Sequence, residues 1–311
     1  MKMVFLDAAT IGRVDNLARM TSLGGYTSWD LTAQDERIGR IRGHNVVITN
    51  KVVIDREVMD ACPELALICI VATGTNNVDL AYAAKKGIAV KNVAGYSTES
   101  VAQCTFAMLF YLLHASRYYD DYVKSGRYAA SPMFTHLGRE FGELAGKHFG
   151  IIGMGAIGKR VASVASAFGA EIVYTSTSGK NLNAGYRHLP VDELLALADV
   201  VSIHCPLNDE TRNLLGEARL GLMKPTAYLL NMGRGGIVDE EALARLLDDH
   251  RIAGAALDVL AAEPIAKDSP LLKVRDRDKL YITPHIAWAG VEARRRLVDR
   301  TAENIRSHFG L

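Results

Sequence analysis

Short β-rich apolar runs alternate with longer amphipathic ones along all 311 residues. This alternation predicts an α/β chain built on doubly wound parallel sheets, because parallel strands need crossover helices and those helices cover both sheet faces. In the first third, strands are expected at residues 3–6, 45–49, 66–71 and 88–92, with helices between them, one over 78–86. A helical pattern then begins at the cap Ser97-Thr98-Glu99 and runs through SVAQCTFAMLFYLLHASRYY. It is apolar on most faces, which predicts one long crossover helix buried between two bodies. After a polar, irregular stretch at 125–145, KHFGIIGMGAIG restarts the alternation. Strands follow at 172–175, 200–204, 227–231, 253–259 and 281–284. The last amphipathic stretch, 291–309, has no strand after it, so it is expected to return to the first domain. The domains read as 1–97, 98–289 and a returning helix within 290–311.

Composition agrees with two packed cores: 49% of residues are hydrophobic and 23% charged. A formal charge of +1 gives no bias toward nucleic acid or anionic membrane and points to small-molecule partners. No run approaches the roughly 18 apolar residues of a membrane span. MKMVFLDAAT reads as a first strand, its apolar run being too short for a signal-peptide core, so a cytoplasmic protein is expected. Cys62, Cys69, Cys104 and Cys205 lie in apolar stretches without C-x-x-C spacing. That pattern predicts buried thiols in a reducing compartment and no metal site.

GMGAIG, Gly153 to Gly158, matches G-x-G-x-x-G, with the apolar run HFGII leading in and KRVASVASAFG leading out as a helix. In that setting Gly153 allows the tight turn, Gly155 lets backbone approach a pyrophosphate, and Gly158 allows close helix packing, so a Rossmann domain binding a dinucleotide is expected. About 20 residues further on such sites usually carry an acid for the ribose 2′-hydroxyl, but this chain reads Tyr174-Thr175-Ser176-Thr177. Thr175 and Ser176 would donate to a 2′-phosphate that a carboxylate would repel, and Lys180 would add charge. The choice between NADP and NAD tilts toward NADP, although an ordinary Ser/Thr turn fits the same residues.

Three segments each place one reactive residue after a strand: NMGRGG with Arg234, DVLAAEP with Glu263 and TPHIAW with His285. Ligands of open α/β sheets bind beyond the carboxyl ends of the strands, so all three are expected to reach one crevice. Arginine is a bidentate partner for a carboxylate and keto oxygen, histidine an acid suited to working pH, and a carboxylate favours the protonated imidazole. This set suits reduction of a 2-keto acid.

Together, ATGTNNVDLAYAAKKGIAV, GMGAIG, HCPLNDETRNLL, NMGRGGIVDEEAL, ALDVLAAEP and TPHIAW resemble the D-isomer-specific 2-hydroxyacid dehydrogenases. That family includes glycerate dehydrogenases (hydroxypyruvate reductases), phosphoglycerate dehydrogenases and formate dehydrogenases. The resemblance implies that Arg234, Glu263 and His285 are catalytic and that the first domain is a flavodoxin-like, discontinuous substrate domain. It implies that the loop holding Thr73, Gly74 and Thr75 binds the substrate carboxylate, with Thr75 close to the cofactor. Ala156, Ile157, Pro206, Met232, Arg234, Asp258 and His285 would line the cofactor, Asp258 at its nicotinamide end. A homodimer built on the nucleotide domain is also implied. For His204 a buried strand-end histidine and a ligand contact both stand. Trp288 resembles the glycerate dehydrogenase branch and either shapes the pocket or packs. Thr175 departs from the family's usual Asp, which leaves the NAD or NADP preference open. The expected reaction is reduction of hydroxypyruvate or glyoxylate to D-glycerate or glycolate. A phosphoglycerate dehydrogenase-like enzyme without a regulatory domain and a nucleotide-sensing binding protein are the alternatives.

Overall fold

In the computed structural model, which describes residues 1–182 and 185–311, the apolar runs of the first third become β1 (Lys2–Phe5), β3 (Val46–Thr49), β4 (Leu67–Ile70) and β5 (Ala89–Asn92). They pair in parallel in the order β2-β1-β3-β4-β5, where β2 is Gly25–Ser28. Every residue of β3 and β4 is buried, as central strands covered on both faces must be. Sequence reading missed β2. Its four residues, GYTS, have no apolar alternation and little burial; they are a strand because β1 offers an open edge, with Met3 opposite Tyr26.

The helix expected at 78–86 is Leu80–Lys85. Val78 is instead taken by a parallel bridge to Ile54, and the Asp79 side chain caps the helix by accepting the Tyr82 N–H. The chain divides into two units, Met1–Ser97 with Ala289–Leu311, and Thr98–Trp288. The terminal helix Val291–Phe309 packs on β4 and on the short helix Ala18–Thr21 of the first unit. Its buried face is Ala293, Leu297, Val298, Thr301, Ala302 and Ile305, the three-and-four spacing of one helical stripe.

The second unit holds β6 (His148–Ile152), β7 (Glu171–Thr175), β8 (Arg187–His188), β9 (Val200–Ile203), β10 (Tyr228–Asn231), β11 (Gly254–Leu257) and β12 (Leu280–Ile282). They form one parallel sheet in the order β12-β11-β10-β9-β6-β7-β8. The chain builds outward from β6 in one direction through β7 and β8. It then crosses back to β9 and builds the other way. The ends of β6 and β9 therefore form the switch point at which such sheets bind ligands.

The single crossover helix expected from residue 98 onward is two helices, Thr98–Leu113 and Ser116–Lys124. The break is Ala115, in the left-handed region at φ +47°, a conformation that costs an L-residue about 1–2 kcal/mol. The polarity changes at the same place. The first helix buries Val101, Phe106, Met108, Leu109 and Leu112 against the helix Ala156–Ala167 and β10 to β12 of its own unit. The second, SRYYDDYVK, buries nothing and follows the surface instead. No helix among the described residues is long and apolar enough to cross a membrane. The four cysteines are free thiols, and burial pushes Cys69 up to about 12 and Cys205 up to about 11.

Candidate active site

The glycine turn follows β6 directly. Gly153 sits at φ +100°, and a Cβ there would meet the Cys205 backbone N at 2.6 Å, so both conformation and space demand glycine. A Cβ on Gly158 would come within 2.2 Å of the Gly153 carbonyl oxygen, which holds the helix Ala156–Ala167 tightly on the turn. At Gly155, the helix N-cap, a Cβ would meet nothing within 4 Å and would project into open space. Bare backbone at the start of a twelve-residue helix offers free N–H groups to an anion. These residues fit a dinucleotide pyrophosphate, with Ala156 and Ile157 in the first turn.

Thr175 ends β7, buried, and its carbonyl accepts the Gly153 N–H at 3.0 Å. The strand end is thereby tied to the glycine turn, and Ser176 lies just outside. His188 carries no motif and is exposed, yet β8 brings it beside this end. Tyr174 is paired with His188, whose Nε2 lies 3.4 Å from the Ser176 N–H. Only strand pairing makes these neighbours; no local signal joins positions twelve apart in sequence.

On the far side of the switch point, Arg234 stands between glycines that close backbone packing requires. A Cβ on Gly233 would lie 2.8 Å from the Cys205 carbonyl oxygen, and one on Gly235 only 1.8 Å from that of Leu260. Asn231, buried at the end of β10, shapes the turn from both sides: its Nδ2 donates to the Arg234 carbonyl and its Oδ1 accepts the Gly233 N–H, both at 3.0 Å. The Arg234 side chain is half-buried, donates to the Gly233 carbonyl at 2.8 Å and makes no ion pair with any described residue. Met232 is buried beside it, and Pro206 lies in the loop after β9.

Packing of Gly235 on Leu260 ties the arginine loop to the segment that carries Glu263. The Glu263 Oε1 accepts the Leu260 N–H at 3.0 Å, and its Oε2 lies 2.8 Å from His285 Nδ1. One carboxylate therefore orders its own loop and orients the imidazole, leaving Nε2 as the nitrogen directed elsewhere. His285 itself is in the left-handed region at φ +55°, a strained position for a side-chain-bearing residue.

Asp258 supplies the restraint. Its Oδ1 accepts from the Thr283 hydroxyl at 2.7 Å and the Ile286 N–H at 2.8 Å, its Oδ2 from the Ala287 N–H at 3.0 Å, and its carbonyl from the His285 N–H at 2.9 Å. Sequence reading gave Asp258 to the nicotinamide; the structure occupies its buried carboxylate with the turn that presents His285. Trp288 is partly buried against the apolar cluster that includes Phe106, Met232 and Ala287.

The chain is similar to known proteins over this unit and beyond it. A family model described as D-isomer specific 2-hydroxyacid dehydrogenase, NAD binding domain, matches residues 106–287. A hydroxypyruvate reductase from Blautia hydrogenotrophica is 36% identical over 313 residues, covering 98% of this chain and 96% of its own length. The chain belongs to the D-isomer-specific 2-hydroxyacid dehydrogenases.

Two solved structures extend the likeness over the chain. The NADPH-dependent glyoxylate/hydroxypyruvate reductase of Sinorhizobium meliloti, in complex with NADP and malonate, has TM-score 0.84 at 25% identity, covering 99% of this dehydrogenase and 93% of that chain. A D-lactate dehydrogenase from Aquifex aeolicus, complexed with NAD and lactic acid, has TM-score 0.85 at 27% identity, with 99% and 96% covered.

In the first unit of the dehydrogenase, Thr73, Gly74 and Thr75 follow β4 at its carboxyl end. Asn92 Nδ2 donates to the Thr73 carbonyl at 2.6 Å, and the Val78 N–H donates to that of Thr75 at 3.1 Å. The three amides of this loop are bonded to no acceptor among the described residues. Sequence reading also passed over Asp7 and Arg37. The buried Asp7 carboxylate accepts the N–H groups of Asn50 and Lys51 at 2.9 and 2.7 Å, and buried Arg37 donates to the Val53 carbonyl at 2.7 Å. Together they fix the loop after β3. Neither carries a motif; only burial reveals them.

The contact of Gly235 with Leu260 predicts that Gly235→Ala leaves the dehydrogenase folded but moves the Arg234 and Glu263 loops apart. Turnover should fall about 100-fold, the scale of a 1 Å misplacement, with an unchanged circular dichroism spectrum. Undiminished turnover would show that the packing does not set the site.

Proposed function

We propose that this dehydrogenase reduces small 2-keto acids, hydroxypyruvate and glyoxylate above all, to D-glycerate and glycolate at the expense of NADPH or NADH. The observation that carries the reading is the Glu263 to His285 pair at 2.8 Å, on loops locked to the Arg234 turn. The substrate names of the relatives point the same way. When bound, the nicotinamide supplies the hydride to C2 of the keto acid. In this reading Arg234 grips the carboxylate and keto oxygen and stabilises the charge that develops on that oxygen. His285 Nε2 gives it a proton, and Glu263 holds the ring and stabilises the imidazolium form. The loop amides of Thr73 to Thr75 are assigned to the substrate carboxylate, Thr75 also to the cofactor, and Trp288 to the pocket wall. Unlike formate oxidation, this reaction needs a proton donor, which the pair provides.

The finer points rest on particular features. NADP is preferred over NAD, because the end of β7 offers Thr175 and Ser176 with His188 alongside and no carboxylate. The enzyme is a cytoplasmic homodimer. In support, the irregular stretch after Lys124 exposes Met133, Phe134, Leu137 and Phe141 on the second unit. Phe134 is 91% exposed, and large apolar side chains left exposed within one stretch suit an interface.

The test is oxidation of NADPH and NADH with a panel of keto acids. Hydroxypyruvate or glyoxylate should be turned over readily; no oxidation above background with either cofactor sinks the reading. In Glu263→Gln, loss of the carboxylate destabilises the imidazolium form. The alkaline limit of keto acid reduction should then move to lower pH, and an unmoved profile would count against the pair. Thr175→Asp should lower the NADP-to-NAD ratio of kcat/KM at least 10-fold, roughly 1.4 kcal/mol, whereas an unchanged ratio misplaces the ribose end. Light scattering should give twice the chain mass for the native protein and a single chain mass for Phe134→Asp; a native monomer would refute the dimer.

A further inference from the structure

His204 is a half-buried titratable residue for which the reading above has no use. It follows β9 directly, and its backbone N–H donates to the carbonyl of Ile152, the last residue of β6, at 2.8 Å. It therefore stands at the switch point, one residue from Cys205, on whose backbone both Gly153 and Gly233 are packed. Successive side chains of a strand alternate between the sheet faces. Val201, Ile203 and Cys205 belong to one apolar cluster, and Val200 to another with Met154, Met232 and Ala287. Ser202 and His204 share the second face, as the 2.8 Å contact between Ser202 Oγ and His204 Nε2 requires. That face ends among the glycine turn, the arginine loop and the histidine loop.

The two ring nitrogens are unequally served. Nε2 has the Ser202 hydroxyl, itself fully buried, whereas Nδ1 is enclosed and has no hydrogen-bond partner among the described residues. Burial pushes the imidazole down to about 3, so the ring is neutral and Nδ1 carries either a lone pair or the single proton. An enclosed ring nitrogen without a partner is costly and calls for a ligand or some other account. The Ser202 hydroxyl fixes the ring orientation, so the nitrogen is held ready at no further rotational cost.

We propose that His204 Nδ1 is a contact of the bound dinucleotide, bonding an oxygen of the nicotinamide half of the molecule, with Ser202 positioning the ring. The assignment rests on the glycine turn being a dinucleotide site. In such a site the adenine half would lie toward β7, on the other side of β6 from β9, so 2′,5′-ADP and 5′-AMP serve as probes that lack the proposed contact.

The test uses the full chain with 15N-labelled histidine. Saturation with NADPH or NADH should shift the His204 Nδ1 resonance, assigned by its loss in His204→Phe, while 2′,5′-ADP or 5′-AMP leaves it in place. His204→Phe should bind the whole dinucleotide about 5-fold more weakly, the scale of one hydrogen bond, and the adenine half as the native protein does. Its thermal midpoint without nucleotide should not fall as far as the increment given by NADPH shrinks. An Nδ1 resonance unmoved at saturating dinucleotide overturns the proposal, as does equal weakening of both halves. A native protein that binds neither nucleotide overturns the dinucleotide site itself, and this contact with it.

Discussion

The second unit depends on backbone meeting backbone at two points where no side chain fits. Cys205 is approached from one side by Gly153 and from the other by Gly233, and Leu260 is approached by Gly235. Each contact joins loops that follow different strands of one parallel sheet. Such loops are ordinarily the independent, mobile parts of an α/β fold. Here steric contact converts the turns after β6, β9, β10 and β11 into one connected layer. The glycines thus do more than permit turns: they set the distance between the turn after β6 and the arginine.

On that layer, two carboxylates divide the work. Asp258, buried, spends its oxygens on the N–H groups of Ile286 and Ala287 and the Thr283 hydroxyl, which holds His285 in a backbone conformation it would not otherwise keep. Glu263, less buried, meets the imidazole itself. The division follows from burial. A carboxylate sealed among N–H donors makes a rigid support, while one near the surface is free to face a group that gains and loses a proton.

The proposed chemistry of this protein was legible because it is assigned to residues that few structures need in that order: a glycine string between strand and helix, an arginine between glycines, Glu before Pro, His after Pro. The main strands were legible because central parallel strands must be continuously apolar. What escaped were features whose cause is a neighbour. Edge strands β2 and β8 have sequences unlike strands and exist because β1 and β7 offer them hydrogen bonds. Asn231, Asp7 and Arg37 are common residue types whose importance lies in burial. The helix break at Ala115 has no Gly or Pro to announce it, only a change from apolar to charged residues.

By itself the sequence determined the α/β class, the dinucleotide turn and the three residues after β10, β11 and β12 that make keto acid chemistry plausible, since each is written in local composition and spacing. Tertiary structure alone decided which carboxylate meets the histidine, which one builds the turn beneath it, and which nitrogen of His204 is left unpaired. Those are relations between atoms on different strands. Hydrogen-bond geometry over less than 3 Å is set by packing, and no local pattern of residues encodes it.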